Sequence, residues 1–224
     1  STGCPMYLYD DNHLNDIEYL LNKDVLFEKI PYMIAQSLTG DYDEGNSYNW
    51  AQWKSFNEDM ILGLYIRKMN IEDMKPETCY QDKLDGNLAL LCAEIESHPE
   101  TQFKISIPPY SMLWWDNIYR NGETESYLYN MEQAMEKLLT YENVELYYFL
   151  NDREIVTDLD NYMDLLHFSP EINQYICDSM IRNDHKVTEA NCHEIIEDSR
   201  SLAYQAVNEL IKPYEDRIKV DIYD

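Results

Sequence analysis

The fold class is decided by residues 82–109, which read DKLDGNLALLCAEIESHPETQFKISIPP. Apolar side chains first recur at intervals of three and four residues, the period of an amphipathic helix; they are Leu84, Leu88, Leu91, Cys92 and Ile95. Apolar and polar residues then alternate as far as Pro108 and Pro109, which is typical of a strand. The apolar residues of this stretch are Phe103, Ile105 and Ile107. The stretch therefore predicts a helix that leads into a strand.

The same order of helix and strand returns further along the chain. A second helical face precedes a predicted strand over residues 144–150; it consists of Tyr127, Leu128, Met131, Met135 and Leu138. A third helix is expected at Ser169-Pro170-Glu171, where serine can cap, proline fits the first turn and the acid meets the positive end of the helix dipole. A last helical face carries Ile195, Ser199, Leu202, Ala206 and Leu210. This alternation predicts an α/β fold of three layers, a mainly parallel sheet flanked by helices.

The amino-terminal third of the chain has a different pattern. Apolar residues between 14 and 38 follow the helical period, which predicts two helices or one broken helix. Pro31 is expected to kink or interrupt the second helix, because its ring blocks a backbone hydrogen bond. Residues 40–57 are rich in aromatic side chains without a clear period and read as an ordered loop. With 224 residues and 45% apolar content, we expect a single domain over 1–224, mostly helical over 1–75 and helix-strand over 76–224.

Charge and composition exclude several classes of function. The chain has 43 acidic and 17 basic residues, a net charge of −26, so its field repels nucleic acid and anionic lipid, and no nucleic-acid partner is expected. No apolar run approaches the ~18 residues that span a bilayer, so a membrane would be reached only through an amino-terminal anchor outside this sequence. Five scattered cysteines without a C-x-x-C pair do not indicate a zinc site. We expect no cofactor and no metal.

One short motif can carry chemistry, namely Asp164-Leu-Leu-His167, which follows a predicted strand and precedes the helix at Pro170. In α/β folds, ligands collect outside the carboxyl ends of strands, and catalytic groups favour loops held by rigid elements. A carboxylate three residues from a histidine can orient one imidazole nitrogen, and the other nitrogen can then take a proton from a serine hydroxyl. The spacing predicts His167 as a general base and Asp164 as its orienting acid.

On these residues the chain resembles the SGNH/GDSL hydrolases, whose last conserved block is an Asp-x-x-His placed after the final strands. Residues 7–26 and 107–115 are also similar to stretches of bacterial SGNH-like proteins. The resemblance implies the carboxyl-terminal part of an esterase or acyltransferase that acts on acylated carbohydrate, at the cell surface or otherwise outside the cytoplasm of a bacterium.

The chain departs from that family at the nucleophile, a serine in a Gly-Asp-Ser or related Gly-x-Ser block. Gly45-Asn46-Ser47 is the one Gly-x-Ser tripeptide, and it lies outside a strand-to-helix turn, the geometry that defines a nucleophile elbow. Ser111 ends a predicted strand, and we expect it to position or contact the substrate beside the catalytic pair. The nucleophile block of the family is therefore expected upstream of Ser1.

Other candidates leave a second hypothesis open. The aromatic side chains of Tyr110, Trp114, Trp115 and Tyr119 can stack on a sugar ring or be buried against the sheet. The alternative to an enzyme is thus a non-catalytic module that binds a glycan or a protein on a degenerate SGNH scaffold. The three aspartates Asp158, Asp160 and Asp164 lack the glycine-punctuated loop of a calcium site. His185 and His193 are expected at solvated positions.

Overall fold

The computed structural model describes residues 25–39 and 54–221. The chain divides into two compact units, residues 1–53 and 54–224. The helix expected over 14–24, most of the aromatic loop and the tripeptide at Ser47 lie outside the described residues, as does the family-like stretch 7–24. In the first unit, a π-helical turn (Val25–Lys29) precedes helix α1 (Ile30–Thr39). Pro31 is the second residue of α1, so the expected interruption appears as a change from a π-helical to an α-helical backbone directly before the proline.

The second unit contains most of the described elements. Its helices are α2 (Glu58–Leu64), α3 (Gln81–Ser97), α4 (Met112–Arg120), α5 (Thr124–Leu138), α6 (Arg153–Val156), α7 (Pro170–Arg182) and α8 (Cys192–Gln205). Its strands are β1 (Ile66–Lys68), β2 (Phe103–Ile107), β3 (Val144–Tyr148), β4 (Lys186–Val187) and β5 (Lys219–Asp221). Short 3-10 turns occur at Glu77–Tyr80, Leu159–Asn161 and Lys212–Arg217, and a π-helical turn at Ala206–Leu210 extends α8.

The strands form two small sheets. β2 and β3 pair in parallel from Phe103 opposite Val144 to Ile107 opposite Tyr148, and the short β4 joins β3 in antiparallel orientation. β1 and β5 form a separate parallel pair. The predicted α/β class is confirmed, with mainly parallel strands flanked by helices. The sequence prediction did not separate the two sheets, because strands of two or three residues are too short to display alternation.

The core is built around β3 and the helices beside it. Leu146, Tyr147 and Tyr148 are all buried, as are Phe149 and Leu150 just beyond the strand, which is typical of a strand covered on both faces. α4 contributes the fully buried Trp115. The predicted strand over 144–150 ends two residues earlier, because the chain turns after Phe149, whose carbonyl accepts from the Asp152 N–H at 3.0 Å.

The start of α7 agrees with the prediction in position but differs in detail. The helix begins at Pro170, and Ser169 occupies the cap position. The Ser169 hydroxyl makes no capping hydrogen bond to the helix, whereas its backbone carbonyl accepts from the N–H groups of Ile172 and Asn173 at 3.1 Å each. Proline in the first turn therefore marks this helix start more reliably than the serine side chain.

Candidate functional site

The predicted catalytic pair lies on a short closed loop, residues 162–168, which we call the Asp–His loop. An isolated antiparallel bridge joins Tyr162 to Phe168, and the Met163 N–H donates to the His167 carbonyl at 3.0 Å. The Ser169 N–H donates to the Asn161 carbonyl at 2.8 Å just outside the bridge. The loop is thus fixed at its base, immediately before α7.

The structure brings Asp164 and His167 together. His167 Nδ1 lies 2.8 Å from Asp164 Oδ2 and 3.0 Å from Oδ1. The backbone N–H groups of Leu166 and His167 both donate to Asp164 Oδ1 at 2.9 Å. Aspartate side chains often receive hydrogen bonds from N–H groups two and three residues ahead, so the spacing in sequence suffices to orient the carboxylate.

The charge of Asp164 determines how the imidazole is held. Burial disfavours the carboxylate, but hydrogen bonds from the backbone N–H groups of His167 and Leu166 and from the His167 ring outweigh it and lower the pKa of Asp164. A charged carboxylate only accepts hydrogen bonds, so His167 Nδ1, the nitrogen that faces Asp164, carries the proton of this hydrogen bond. In neutral imidazole this tautomer places the lone pair on Nε2, as a general base requires. The His167 side chain is 51% exposed.

Ser111 lies against this loop, at the connection between β2 and α4. Its backbone N–H and its hydroxyl both donate to the Leu165 carbonyl, each at 3.1 Å. The Tyr162 hydroxyl donates to the Pro109 carbonyl at 2.9 Å, which adds a second link between the two loops. Ser111 is fully buried, so a substrate would have to break its hydrogen bond to reach the hydroxyl. That Ser111 contacts a substrate stays a prediction. Its two hydrogen bonds to Leu165 link it directly to the Asp–His loop.

The aromatic candidates divide into surface and core positions. Tyr110 and Trp114 are half-buried, with ring centroids 5.1 Å apart. Trp114 also packs edge-on against Trp115 and Tyr127 at 4.9 and 4.8 Å. Trp115 is fully buried and cannot meet a ligand, whereas Tyr110 and Trp114 reach the surface next to Ser111. Tyr119 packs against Tyr204 instead, at 6.0 Å.

A small cavity adjoins Asp164, and we call it the Asp164 pocket. Its volume is about 150 Å³. It is lined by Ile61, Leu64, Tyr65, Ile66, Asn117, Asp164 and Leu165. Sequence reasoning missed it, because α2, β1, α4 and the Asp–His loop meet only in the folded chain.

A buried ionic cluster behind this pocket was also missed. Asp116 is fully buried and accepts from the Tyr65 hydroxyl at 2.7 Å and from Arg67 Nε and Nη2 at 2.8 and 2.9 Å. Arg120 Nε lies 3.2 Å from the same carboxylate. Burial, together with the neighbouring Asp116 charge, raises the pKa of Tyr65. The one signal in the sequence is an aspartate within the otherwise apolar start of α4.

His185 was expected at a solvated position, and the structure corrects this. Its Nε2 lies 2.8 Å from the Tyr175 hydroxyl, which donates to Asp152 Oδ2 at 2.8 Å, and its ring packs on Phe149 with centroids 4.7 Å apart. His193 is exposed as expected, and its hydrogen bond to Glu132 raises its pKa. Within the described residues, no group of three or more His, Cys, Asp or Glu side chains is placed to hold a metal ion.

No protein-family model matches the chain, and neither a curated protein nor a solved structure gives a significant match. Along the described part of the chain, no helix is both long and apolar enough to cross a membrane.

Proposed function

We propose that the chain carries the acid–base pair of a serine ester hydrolase or acyltransferase on an SGNH-like scaffold, acting on acylated carbohydrate. His167 is the general base and Asp164 the residue that orients it. The observation that supports the proposal is the 2.8 Å contact between His167 Nδ1 and Asp164 Oδ2, on a loop that is fixed at its base and lies between β3 and α7. The substrate class rests on the family resemblance alone.

In the proposed reaction, His167 Nε2 takes the proton of a serine hydroxyl while the serine oxygen attacks the ester carbonyl. The imidazolium then gives that proton to the departing sugar oxygen, which leaves an acyl-enzyme. Water, or the hydroxyl of an acceptor, reverses these proton transfers and carries the acyl group away. Asp164 stabilises the imidazolium at each step, and its lowered pKa keeps it charged for this role.

The proposal assigns the base and leaves the nucleophile to experiment. The Ser111 hydroxyl donates to the Leu165 carbonyl, and Ser47 lies outside the described residues. The test is labelling of the native gene product by a serine-directed fluorophosphonate, followed by mass spectrometry of the labelled peptide. We expect one labelled serine, loss of labelling in His167→Ala and unchanged labelling in His193→Ala, a matched exposed histidine with its own carboxylate partner.

Asp164→Asn should lower the rate of ester hydrolysis by up to about 10⁴-fold, the scale seen when the orienting acid of a serine triad is replaced by its amide. If the native product shows no labelled serine, or if His167→Ala and His193→Ala behave alike, the hydrolase proposal fails.

A glycan-binding module is the second candidate, favoured by the half-buried ring pair Tyr110–Trp114 beside the loop. Aromatic rings that combine an apolar face with a polar tip suit carbohydrate contacts. In that case Trp114→Ala should weaken binding to an immobilised acetylated glycan by at least about tenfold, and His167→Ala should leave it unchanged. Equal binding by wild type and Trp114→Ala would remove this candidate.

A further inference from the structure

We propose that the Asp164 pocket binds a small, neutral, mostly apolar ligand of about four to six heavy atoms that carries one hydrogen-bonding end, such as a short aliphatic amide. This binding site does not depend on the hydrolase proposal, because it requires neither a nucleophile nor a reaction. Three properties of the pocket support it: its size, its rigidity and its charge.

The volume limits the ligand. An engineered cavity of about 150 Å³ in another protein binds benzene, which has six heavy atoms. The Asp164 pocket has about this volume, so it holds a short aliphatic chain, and any longer part of a ligand would extend past the exposed Leu64 and Ile66 into solvent.

Three residues that line the pocket, Tyr65, Asp164 and Leu165, are held in place before any ligand arrives. The Tyr65 hydroxyl donates to the buried Asp116 at 2.7 Å. The Leu165 carbonyl accepts from the N–H and hydroxyl of Ser111. Asp164 accepts two backbone N–H groups of its own loop. Small-molecule sites are usually preformed in this manner, since ordering flexible walls would reduce the affinity.

The chemistry of the walls selects against charge. Ile61, Leu64, Ile66 and Leu165 provide apolar surface, and Asn117 and Asp164 provide the polar atoms besides Tyr65. No hydrogen bond joins the side-chain amide of Asn117 to another described residue, so this amide can donate to a ligand carbonyl. Because the Asp164 carboxylate lines the pocket, its charge repels an anionic ligand there. A neutral ligand with a carbonyl or amide end is therefore preferred over a carboxylate of the same shape.

The experiment compares butyramide with butyrate, which share size and shape but differ in charge. Each is titrated into the full chain labelled at isoleucine and leucine methyl groups, and methyl spectra are recorded by NMR. We expect butyramide to shift the methyl signals of Ile61, Leu64, Ile66 and Leu165 with a dissociation constant on the order of 10 mM, typical of so small a ligand. Butyrate should bind about tenfold more weakly.

Three variants complete the design. Asn117→Ala should weaken the binding of butyramide at least about fivefold, because it removes the side-chain amide that donates to the ligand. Leu64→Ala should weaken binding to a similar extent by opening the pocket wall. Leu90→Ala, which removes a more exposed leucine of α3 outside the pocket, should have no effect. An unchanged methyl spectrum of each free variant at the remaining residues shows that it is folded.

The pocket proposal is overturned if butyramide shifts no pocket methyl up to about 100 mM, a concentration ten times the expected constant. It is also overturned if butyrate binds equally well or if Leu90→Ala weakens binding as much as Leu64→Ala. Since no step of this measurement uses His167, butyramide binding without serine labelling removes only the hydrolase proposal. Labelling without butyramide binding removes only the pocket.

Discussion

At the scale of single residues, Gly122 has a backbone conformation that residues other than glycine rarely adopt. Its φ is +66°, and an added Cβ would lie 2.2 Å from the Asp73 carbonyl oxygen. The Gly122 carbonyl accepts from the Lys75 N–H at 2.8 Å. The turn between α4 and α5 is therefore pressed against the segment that precedes α3, and only glycine fits there.

Gly122→Ala should lower the free energy of unfolding by about 1–3 kcal/mol through backbone strain and the forced shift of Asp73. Gly86→Ala is the matched control, because this glycine lies within α3 with no atom within 4 Å of an added Cβ. It should raise stability by about 0.5–1 kcal/mol. Urea denaturation of both variants measures the difference, and changes of the same sign would contradict the strain argument.

The buried carboxylate of Asp116 gives a second prediction at this scale. Asp116→Asn removes the buried carboxylate opposite the largely buried Arg67 guanidinium, which then keeps only the half-exposed Glu215 as a charged partner. Breaking a buried ion pair on one side costs about 3–5 kcal/mol. Asp59→Asn also removes an aspartate that faces an arginine, but the side chain of Asp59 is 91% exposed, so it should cost less than about 1 kcal/mol. Equal losses in urea denaturation would contradict the role assigned to burial.

At the scale of elements, one acidic side chain links all three strands of the larger sheet. Glu145 stands on the middle strand β3, with Lys104 of β2 at 2.8 Å and Lys186 of β4 at 2.9 Å. Hydrogen bonds from these two lysines lower the pKa of Glu145 to about 2. Opposite charges on neighbouring strands stabilise their pairing. Since β4 has only two residues, the ion pair between Lys186 and Glu145 adds to a small number of backbone contacts with β3.

This arrangement predicts a pH-dependent contribution to stability. An unfolded glutamate has a pKa of about 4.3, above the folded value of Glu145, so its contribution is present above about pH 4.3 and is lost as the pH falls towards 2. Glu145→Gln should lower the melting temperature by about 2–4 °C at pH 6, and the difference should vanish near pH 2. Glu142→Gln, in the exposed turn before β3, is the control. A Glu145→Gln difference that stays constant with pH would refute the prediction.

At the scale of the whole molecule, the dominant property is the charge of −26. Ion pairs neutralise part of it, but 43 acidic side chains cannot all be matched by 17 basic ones. The remaining carboxylates repel one another, and this repulsion opposes the compact state.

Salt should therefore stabilise the protein. Raising the ionic strength from about 0.01 to 0.15 M shortens the screening length from about 30 to about 8 Å, so the melting temperature should rise. The same step at pH 4 should produce a smaller rise, because many carboxylates approach neutrality there. Differential scanning calorimetry at the two pH values makes the comparison. A fall in melting temperature with salt at pH 7 would mean that attractive ion pairs outweigh the repulsion.

The sequence by itself determined the features that arise from residues close together in the chain. The apolar periods of α3, β2 and α5 and the proline at the start of α7 were readable, because helix and strand geometry repeats every few residues. The pair Asp164–His167 belongs here too, since a separation of three residues brings the carboxylate within reach of the N–H groups of Leu166 and His167.

Only the tertiary structure decided the features that join distant residues. Arg67 and Asp116 are 49 positions apart, and Ser111 and Leu165 are 54 apart. The Asp164 pocket draws on residues from Ile61 to Leu165, and β1 and β5 pair across most of the second unit. Local patterns state which side chains are to be buried but not against which partners. That choice depends on how the helices and strands pack as a whole.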